Sequence, residues 1–290
     1  MKLLITADWH IRKTKPVCRT DEDWIGTQKE AVKQVFKLAV MYKTDVCIVG
    51  DIFHSNSDTD FECLQLIQNF ARELKENGLR LFILAGNHDL LYHSSLNMNR
   101  SAVGILFCSE NIFPLSELGE NVSATNFDEE VEDAEIVFRH ILTFENEKSL
   151  PPNVEAKTAK DLLKETPSAK WIFTGDNHHN FHYKKNGRHV INPGCLLRQG
   201  VDFIDYEPCV FLVDTEKEKV LQKFIIDNKE FVDNSYILKQ EEREERIGEF
   251  VESLKNTKSI SLDFLENVKI ALANNKLSDE LISIVEELLL

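Results

Sequence analysis

Apolar positions along the first third of the chain switch between two spacings. Short apolar runs at residues 2–7 (KLLITA), 45–50 (DVCIVG) and 79–86 (LRLFILAG) read as buried strands, and they end directly before Asp8, Asp51 and Asn87. Between them the spacing becomes helical. Residues 25–41 carry Val32, Val35, Phe36 and Ala39 on one side, and residues 61–74 carry Leu64, Ile67, Phe70 and Leu74. Strand, helix, strand, helix, strand predicts a parallel α/β core. Ligands bind beyond the carboxyl ends of strands in such sheets, where Asp8, Asp51 and Asn87 stand.

Residues 135–138, 170–174, 189–191 and 209–213 predict further strands, the last two closed by the turn residues Asn192-Pro193-Gly194 and by Asp214, and so a second sheet packed on the first. The polar, acidic stretch 117–133 lacks periodicity and reads as a surface loop; 150–154, with two prolines, reads as a connector. After about Asp233 the character becomes helix-friendly, over 240–250, 262–273 and, behind an N-cap-like Ser278, 279–289. The expected organisation is therefore a catalytic domain over 1–233 and a short helical C-terminal tail over 234–290, without internal repeats.

Composition narrows the class. With 42% hydrophobic and 29% charged residues, 11 Gly and 7 Pro, the chain of 290 residues is neither collagen-like nor disordered. No apolar run approaches the roughly 18 residues of a membrane span, and the N-terminus lacks a signal peptide's apolar region, so a soluble, cytoplasmic protein is expected. Six scattered cysteines without a CxxC pair suggest free thiols in a reducing compartment. The formal net charge of -15 works against nonspecific binding of a polyanion, so any nucleic-acid role must rest on local features.

Five strings carry candidate chemistry: Asp8-Trp9-His10, Gly50-Asp51-Ile52-Phe53-His54, Gly86-Asn87-His88-Asp89, Arg139-His140 and Gly175-Asp176-Asn177-His178. Each follows an apolar run, so their oxygen and imidazole ligands meet at one rim, in a number that fits two metals. Ligands of this kind, without thiolate, favour Mn, Fe, Co or Zn over Ca. Two ions roughly 3.5–4 Å apart depress the pKa of a shared water and clamp a phosphoryl oxygen, which suits attack on phosphorus. Asp8 and His10 share a face by the period of two, and Asp51 is expected to bridge both ions.

The set D-x-H, G-D-x-x-H, G-N-H-D, H, G-x-x-H, in that order over roughly residues 1–230, resembles the calcineurin-like metallophosphoesterase superfamily. The resemblance implies a four-layer αββα sandwich around a two-metal centre. His54 in GDIFH and the run Asn192-Pro193-Gly194-Cys195 resemble nuclease subunits of the Mre11/SbcD type, including short phage forms. That implies a manganese-dependent DNA exo- and endonuclease of repair, recombination or replication. Its first ion would be held by Asp8, His10, Asp51 and His178, and its second by Asp51, Asn87, His140 and Asp176. His88 is expected to protonate the leaving oxygen, with Asp89 fixing its tautomer. His54, one turn along if a helix begins at Asp51, is expected to orient DNA, or else to be a polar residue of a helix start.

Related nucleases carry G-H-x-H where this chain has Gly175-Asp176-Asn177-His178. Asp176 can still ligate, but it lowers the site charge from about +2 to about +1 and so softens the second ion; His179 is the reserve ligand. His93, His182 and His189 read as surface or structural. Trp9 and Phe53 either stack on a base or pack the core. Lys184, Lys185 and Arg188 either touch phosphate or form a solvated hairpin tip. In the tail, Leu281, Ile284, Val285, Leu288 and Leu289 form an apolar stripe. It suits either the home domain or, as the resemblance implies, a Rad50/SbcC-like coiled-coil ATPase; a homodimer is also compatible. Two rival functions stand beside the nuclease: a small-molecule phosphodiesterase or phosphatase, favoured by the acidic charge, and a non-catalytic scaffold, which the complete ligand set disfavours.

Overall fold

From the N-terminus, β1 (Lys2–Thr6), α1 (Trp24–Tyr42), β2 (Asp45–Val49), α2 (Phe61–Glu76), β3 (Leu81–Leu84), α3 (Ala102–Leu106), β4 (Ile112–Pro114), β5 (Val122–Thr125) and β6 (Ile136–His140) follow in order. Then come β7 (Thr143–Phe144), β8 (Lys157–Thr158), α4 (Ala159–Glu165), β9 (Trp171–Gly175), β10 (Phe181–Lys185), β11 (Arg188–Asn192), β12 (Cys209–Asp214) and β13 (Lys219–Phe224). This computed structural model describes residues 1–233 other than 57, 128, 153 and 155, together with 235 and 243–249. Two units divide the chain, Met1–Val232 and Asp233–Leu290. In the second, residues 243–249 are helical. The helices expected at 262–273 and 279–289, with the apolar stripe, lie outside the described residues.

The first unit is built on a six-stranded sheet of order β13-β12-β1-β2-β3-β4 and a five-stranded sheet of order β10-β11-β9-β6-β5. Strands β1 to β4 run parallel, as do β5, β6, β9 and β11. Side chains alternate faces along each strand. In the first sheet Leu3, Ile5, Cys47, Val49, Phe82 and Leu84 point into the layer shared with Ile136, Phe138, Trp171 and Phe173 of the second. Leu4, Val46, Ile48, Leu81 and Ile83 point the other way, onto α1, α2 and α3. On the far side of the second sheet, Val137, Ile172 and Val190 pack against Leu162 and Leu163 of α4. The result is the expected α/β sandwich with layers α, β, β, α.

Two local rules fix the helices that separate the ligand strands. Asp23 caps α1 by accepting from the Gly26 amide, and Asp60 caps α2 by accepting from the Glu62 and Cys63 amides. Among the described residues no helix is long and apolar enough to cross a membrane. All six cysteines are free thiols.

Two expectations are corrected, and a third, left open between two readings, is decided. The stretch 117–133 is not all loop, because it contains β5, whose buried residues are Ser123 and Thr125; polar buried positions erase the apolar alternation that marks a strand. No helix begins at Asp51; His54 lies in a bend beyond an isolated Ile11–Phe53 bridge. The basic cluster lies away from the metal motifs: Arg188 and Lys185 pair at the hairpin end of β10–β11, beside the start of β9, whose far end carries Gly175. Arg188 is also committed, donating to the carbonyls of Ala169, Leu163 and Thr166.

Candidate metal centre

Five strands deliver side chains to one rim: β1, β2 and β3 from the first sheet, β6 and β9 from the second. Asp8, His10, Asp51 and His178 bring one ligand atom each to within 4.8 Å of one another, and Asp51, His140 and Asp176 do the same. The two groups share Asp51. Asn87 joins the second, its Oδ1 lying 3.1 Å from His140 Nε2. All seven residues expected at the two ions are thus brought together.

Backbone amides orient the carboxylates. Asp8 Oδ1 accepts from the Asp176 amide at 3.1 Å, and Asp51 Oδ1 accepts from the His88 amide at 3.0 Å. In each case the other oxygen, Oδ2, is buried without a hydrogen-bond partner. An unpaired buried carboxylate oxygen is costly unless a cation faces it. His10 Nε2 and His178 Nε2 also point at each other across 3.0 Å. This donor set fits divalent metal.

His140 shows how tightly the second group is built. Its Nδ1–H donates to the Val49 carbonyl at 3.0 Å, which leaves Nε2 as the ligand atom, 3.3 Å from Asp51 Oδ2 and 3.9 Å from Asp176 Oδ1. A Cβ on Gly50, Gly86 or Gly175 would run into this ring, and Gly50 also has φ +84. At Gly50 the ring is the nearest obstacle, whereas at Gly86 Asp51 and at Gly175 the Val49 carbonyl lie closer still.

Asp8, His10, Asp51 and Asp176 hold φ of 49, 45, 49 and 77. Left-handed backbone costs a non-glycine residue roughly 1–2 kcal/mol. The strand-end turns therefore store strain where the ligands stand.

Burial dominates the electrostatics. It pushes the Asp8 carboxyl well above the ordinary range against the pull of His140, and lowers His10 and His178 below the ordinary imidazole value. Burial also opposes charge on Asp51 and His140, but their mutual attraction wins. Asp51 is held well below its usual value, and His140 is raised to about 10 by Asp51, Asp8 and Asp176.

The remaining catalytic expectations fare unequally. His10, His54 and His88 form a third close group. His88 Nδ1–H donates to the His54 carbonyl at 2.5 Å, leaving Nε2 free. Asp89 does not fix that tautomer. Its buried carboxylate accepts from the amides of Phe53 at 2.8 Å, Gly86 at 3.0 Å and Ile52 at 3.2 Å, bracing the second-motif loop against the third. Burial, with Asp51 nearby, raises Asp89 to about 7 against these three donors.

His179 points away from the ligands, its ring 4.8 Å from Phe203 and 5.6 Å from Tyr206. Trp9 and Phe53 are fully buried core residues, Trp9 packing edge-on to Phe70. His93 Nδ1–H donates to the Asn87 carbonyl at 2.7 Å. Sequence reasoning missed Asn177 and Asn192. Asn177 Nδ2 donates to the Thr143 carbonyl at 2.7 Å, and Asn192 Nδ2 donates to the His179 carbonyl at 2.9 Å, tying the Asp176–His178 turn to two strands. Asn192 stood out in the run Asn192-Pro193-Gly194-Cys195, but neither bracing contact is written in the sequence.

Residues 1–206 match the calcineurin-like phosphoesterase family, and the chain belongs to it. Its chemistry is accordingly metal-dependent hydrolysis of phosphoesters. Two curated relatives align with part of the chain. Exonuclease subunit 1 of Enterobacteria phage T4 is 28% identical over 103 residues, 35% of this chain and 29% of that protein. SbcD, a component of the SbcCD nuclease of Escherichia coli (strain K12), is 30% identical over 112 residues, 37% of this chain and 25% of that protein. The matched segments thus span less than a third of either relative. A solved structure, TT1561 of Thermus thermophilus, superposes with a TM-score of 0.46 at 14% identity, over 78% of this chain and 99% of that one.

Proposed function

We propose that the chain is a manganese-dependent DNA exo- and endonuclease, the nuclease subunit of an SMC-like, Rad50/SbcC-like coiled-coil ATPase acting in DNA repair, recombination or replication. The observation that carries the reading is the pair of ligand groups joined at Asp51 with His54 and His88 beside them, in a chain whose curated relatives are nuclease subunits. Bound in the two groups, divalent ions supply a low-pKa water and a clamp on the phosphoryl oxygens. The amides of Asp176 and His88 keep Asp8 and Asp51 turned inward, and the Val49 carbonyl does so for His140. His88, with Nδ1–H on the His54 carbonyl, gives the leaving oxygen its proton from Nε2 of the imidazolium form. Asp89 positions both loops by accepting amides.

The test is hydrolysis by the purified chain, with Mn2+, of single-stranded DNA, double-stranded DNA and a small phosphodiester. Metal-dependent cleavage of DNA is expected. A chain that turns over only the small diester establishes the second reading, a small-molecule phosphodiesterase or phosphatase, which the net charge of -15 favours. Partner binding belongs to the tail in this reading: deleting 235–290 should leave the small diester a substrate and end association with the ATPase. Loss of folding in that deletion would assign the tail to the home domain.

A further inference from the structure

Phe127 is 38% exposed, and its ring centroid lies 6.4 Å from that of His140. The turn that presents it is fixed. Asn126 Oδ1 accepts from the Ala85 amide at 3.0 Å, and the Phe127 amide donates to the Ala85 carbonyl at 3.2 Å. The Glu129 carboxylate in turn accepts from the Asn126 amide and Nδ2, each at 2.9 Å. Ala85 directly precedes Gly86-Asn87, so the ring is pinned to the strand end that delivers Asn87.

A large apolar ring on a surface turn ordinarily folds down onto the core. Phe203, on the opposite flank, is packed in that way, against His178, His179 and Tyr206. Among the described residues, Phe127 has a ring contact only with His140.

Charge decides what can approach this ring. Glu129, Glu130, Glu132 and Asp133 follow it, so phosphates are repelled from the loop, whereas the face of a nucleobase is not. Arg188 is committed to three carbonyls at the hairpin end of the second sheet, so it does not hold a strand at this ring, where stacking is a sequence-tolerant means of doing so.

We propose that Phe127 is a substrate-positioning residue that stacks on an unpaired base of a DNA strand, on the His140, Asn87 and Asp176 side of the centre. The inference rests on the nuclease reading. It implies a preference for single-stranded or frayed DNA, because a base stacked within a duplex offers no free face.

The experiment compares the full-length protein with Phe127→Ala and Phe127→Trp on a single-stranded oligonucleotide carrying 2-aminopurine at successive positions around the cleaved bond, with Mn2+. Phe127→Ala should raise KM about 5- to 150-fold, the range that base–aromatic stacking supplies, with the loss in KM rather than kcat. Phe127→Trp should restore KM. Quenching of 2-aminopurine at one position should be present with wild type and lost with Phe127→Ala, and an oligonucleotide abasic at that position should bring the KM values of the two proteins together. Equal KM values and equal quenching for wild type and Phe127→Ala overturn the inference while leaving the nuclease reading standing. A wild-type protein that hydrolyses the small diester but does not cleave the oligonucleotide overturns the nuclease reading, and the inference with it.

Discussion

Among the described residues of the first unit, buried and half-buried histidines gather at the rim and again on the β10–β11 hairpin, and the first gathering belongs to the candidate metal centre. At the rim, His10, His140 and His178 converge on Asp8, Asp51 and Asp176. On the β10–β11 hairpin, His182 Nε2 meets His189 Nδ1 at 2.9 Å, and His189 stacks on Trp171 at 4.1 Å between centroids. His140 and His189 are both about 1% exposed, yet their titration is displaced in opposite directions. Three carboxylates outweigh burial and raise His140 to about 10, whereas burial, helped by His182, lowers His189 to about 4. What separates a ligand cluster from a packing cluster is therefore the buried carboxylate oxygen left without a hydrogen bond, a feature of Asp8 and Asp51.

The sharpest way to break the contrast is Asp51→Asn. The shared ligand of both groups is then a weaker donor, so hydrolysis should disappear and bound metal should fall below two ions per chain, read by elemental analysis beside the rate. Two retained ions with normal turnover would remove Asp51 from the bridge. On the proposed reading, in which Nε2 of His88 gives a proton to the leaving oxygen, His88→Ala should lower the rate by roughly 10²–10⁴ while metal content holds; loss of metal would make it a ligand.

A smaller effect is expected at Asp176. Asp176→Ala should weaken the second ion alone by at least about 10- to 100-fold, the range that even outer partners of metal ligands carry, and Asp176→His should keep both ions. His179→Ala should change neither affinity in calorimetric titration. The reverse pattern would move the ligand to His179.

The smallest effect lies in the hairpin cluster and concerns stability. The folded value of His189 is depressed to about 4 from an ordinary 6.5, so the unfolded chain takes up this proton first. The stability tied to neutral His189 is complete above about pH 6.5 and is lost as pH falls toward 4. Melting temperature followed between pH 7.5 and 4.5 should fall less steeply in His189→Gln than in wild type, with metal content unchanged. Equal slopes would show that the ring takes its proton as easily folded as unfolded.

Much of this architecture could be read from residue order, for a physical reason. Strands β1, β2 and β3 are buried on both faces, so their apolar runs are continuous, and a polar residue directly after each must lie at the sheet's edge. The helices between them carry a clear apolar side. Strands β5, β10 and β13 were invisible because edge positions leave few buried apolar residues to set a period, as in Val122–Thr125, where the buried residues are Ser and Thr. Within the site, ligand types followed from the motifs, but second contacts did not. That Asp89 serves three backbone amides, or that Asn192 braces a turn 13 residues away, depends on loop paths that adjacency in sequence does not encode. Phe127 lay hidden in a stretch whose acidity made it look like featureless loop.

The left-handed turns at Asp8, His10, Asp51 and Asp176 set a direction for molecular drift. Glycine adopts that backbone freely, so glycine at any of the four positions would relieve the turn while erasing part of the centre. At Asp8 and Asp51 that relief is set against the amides of Asp176 and His88, which would lose their acceptors.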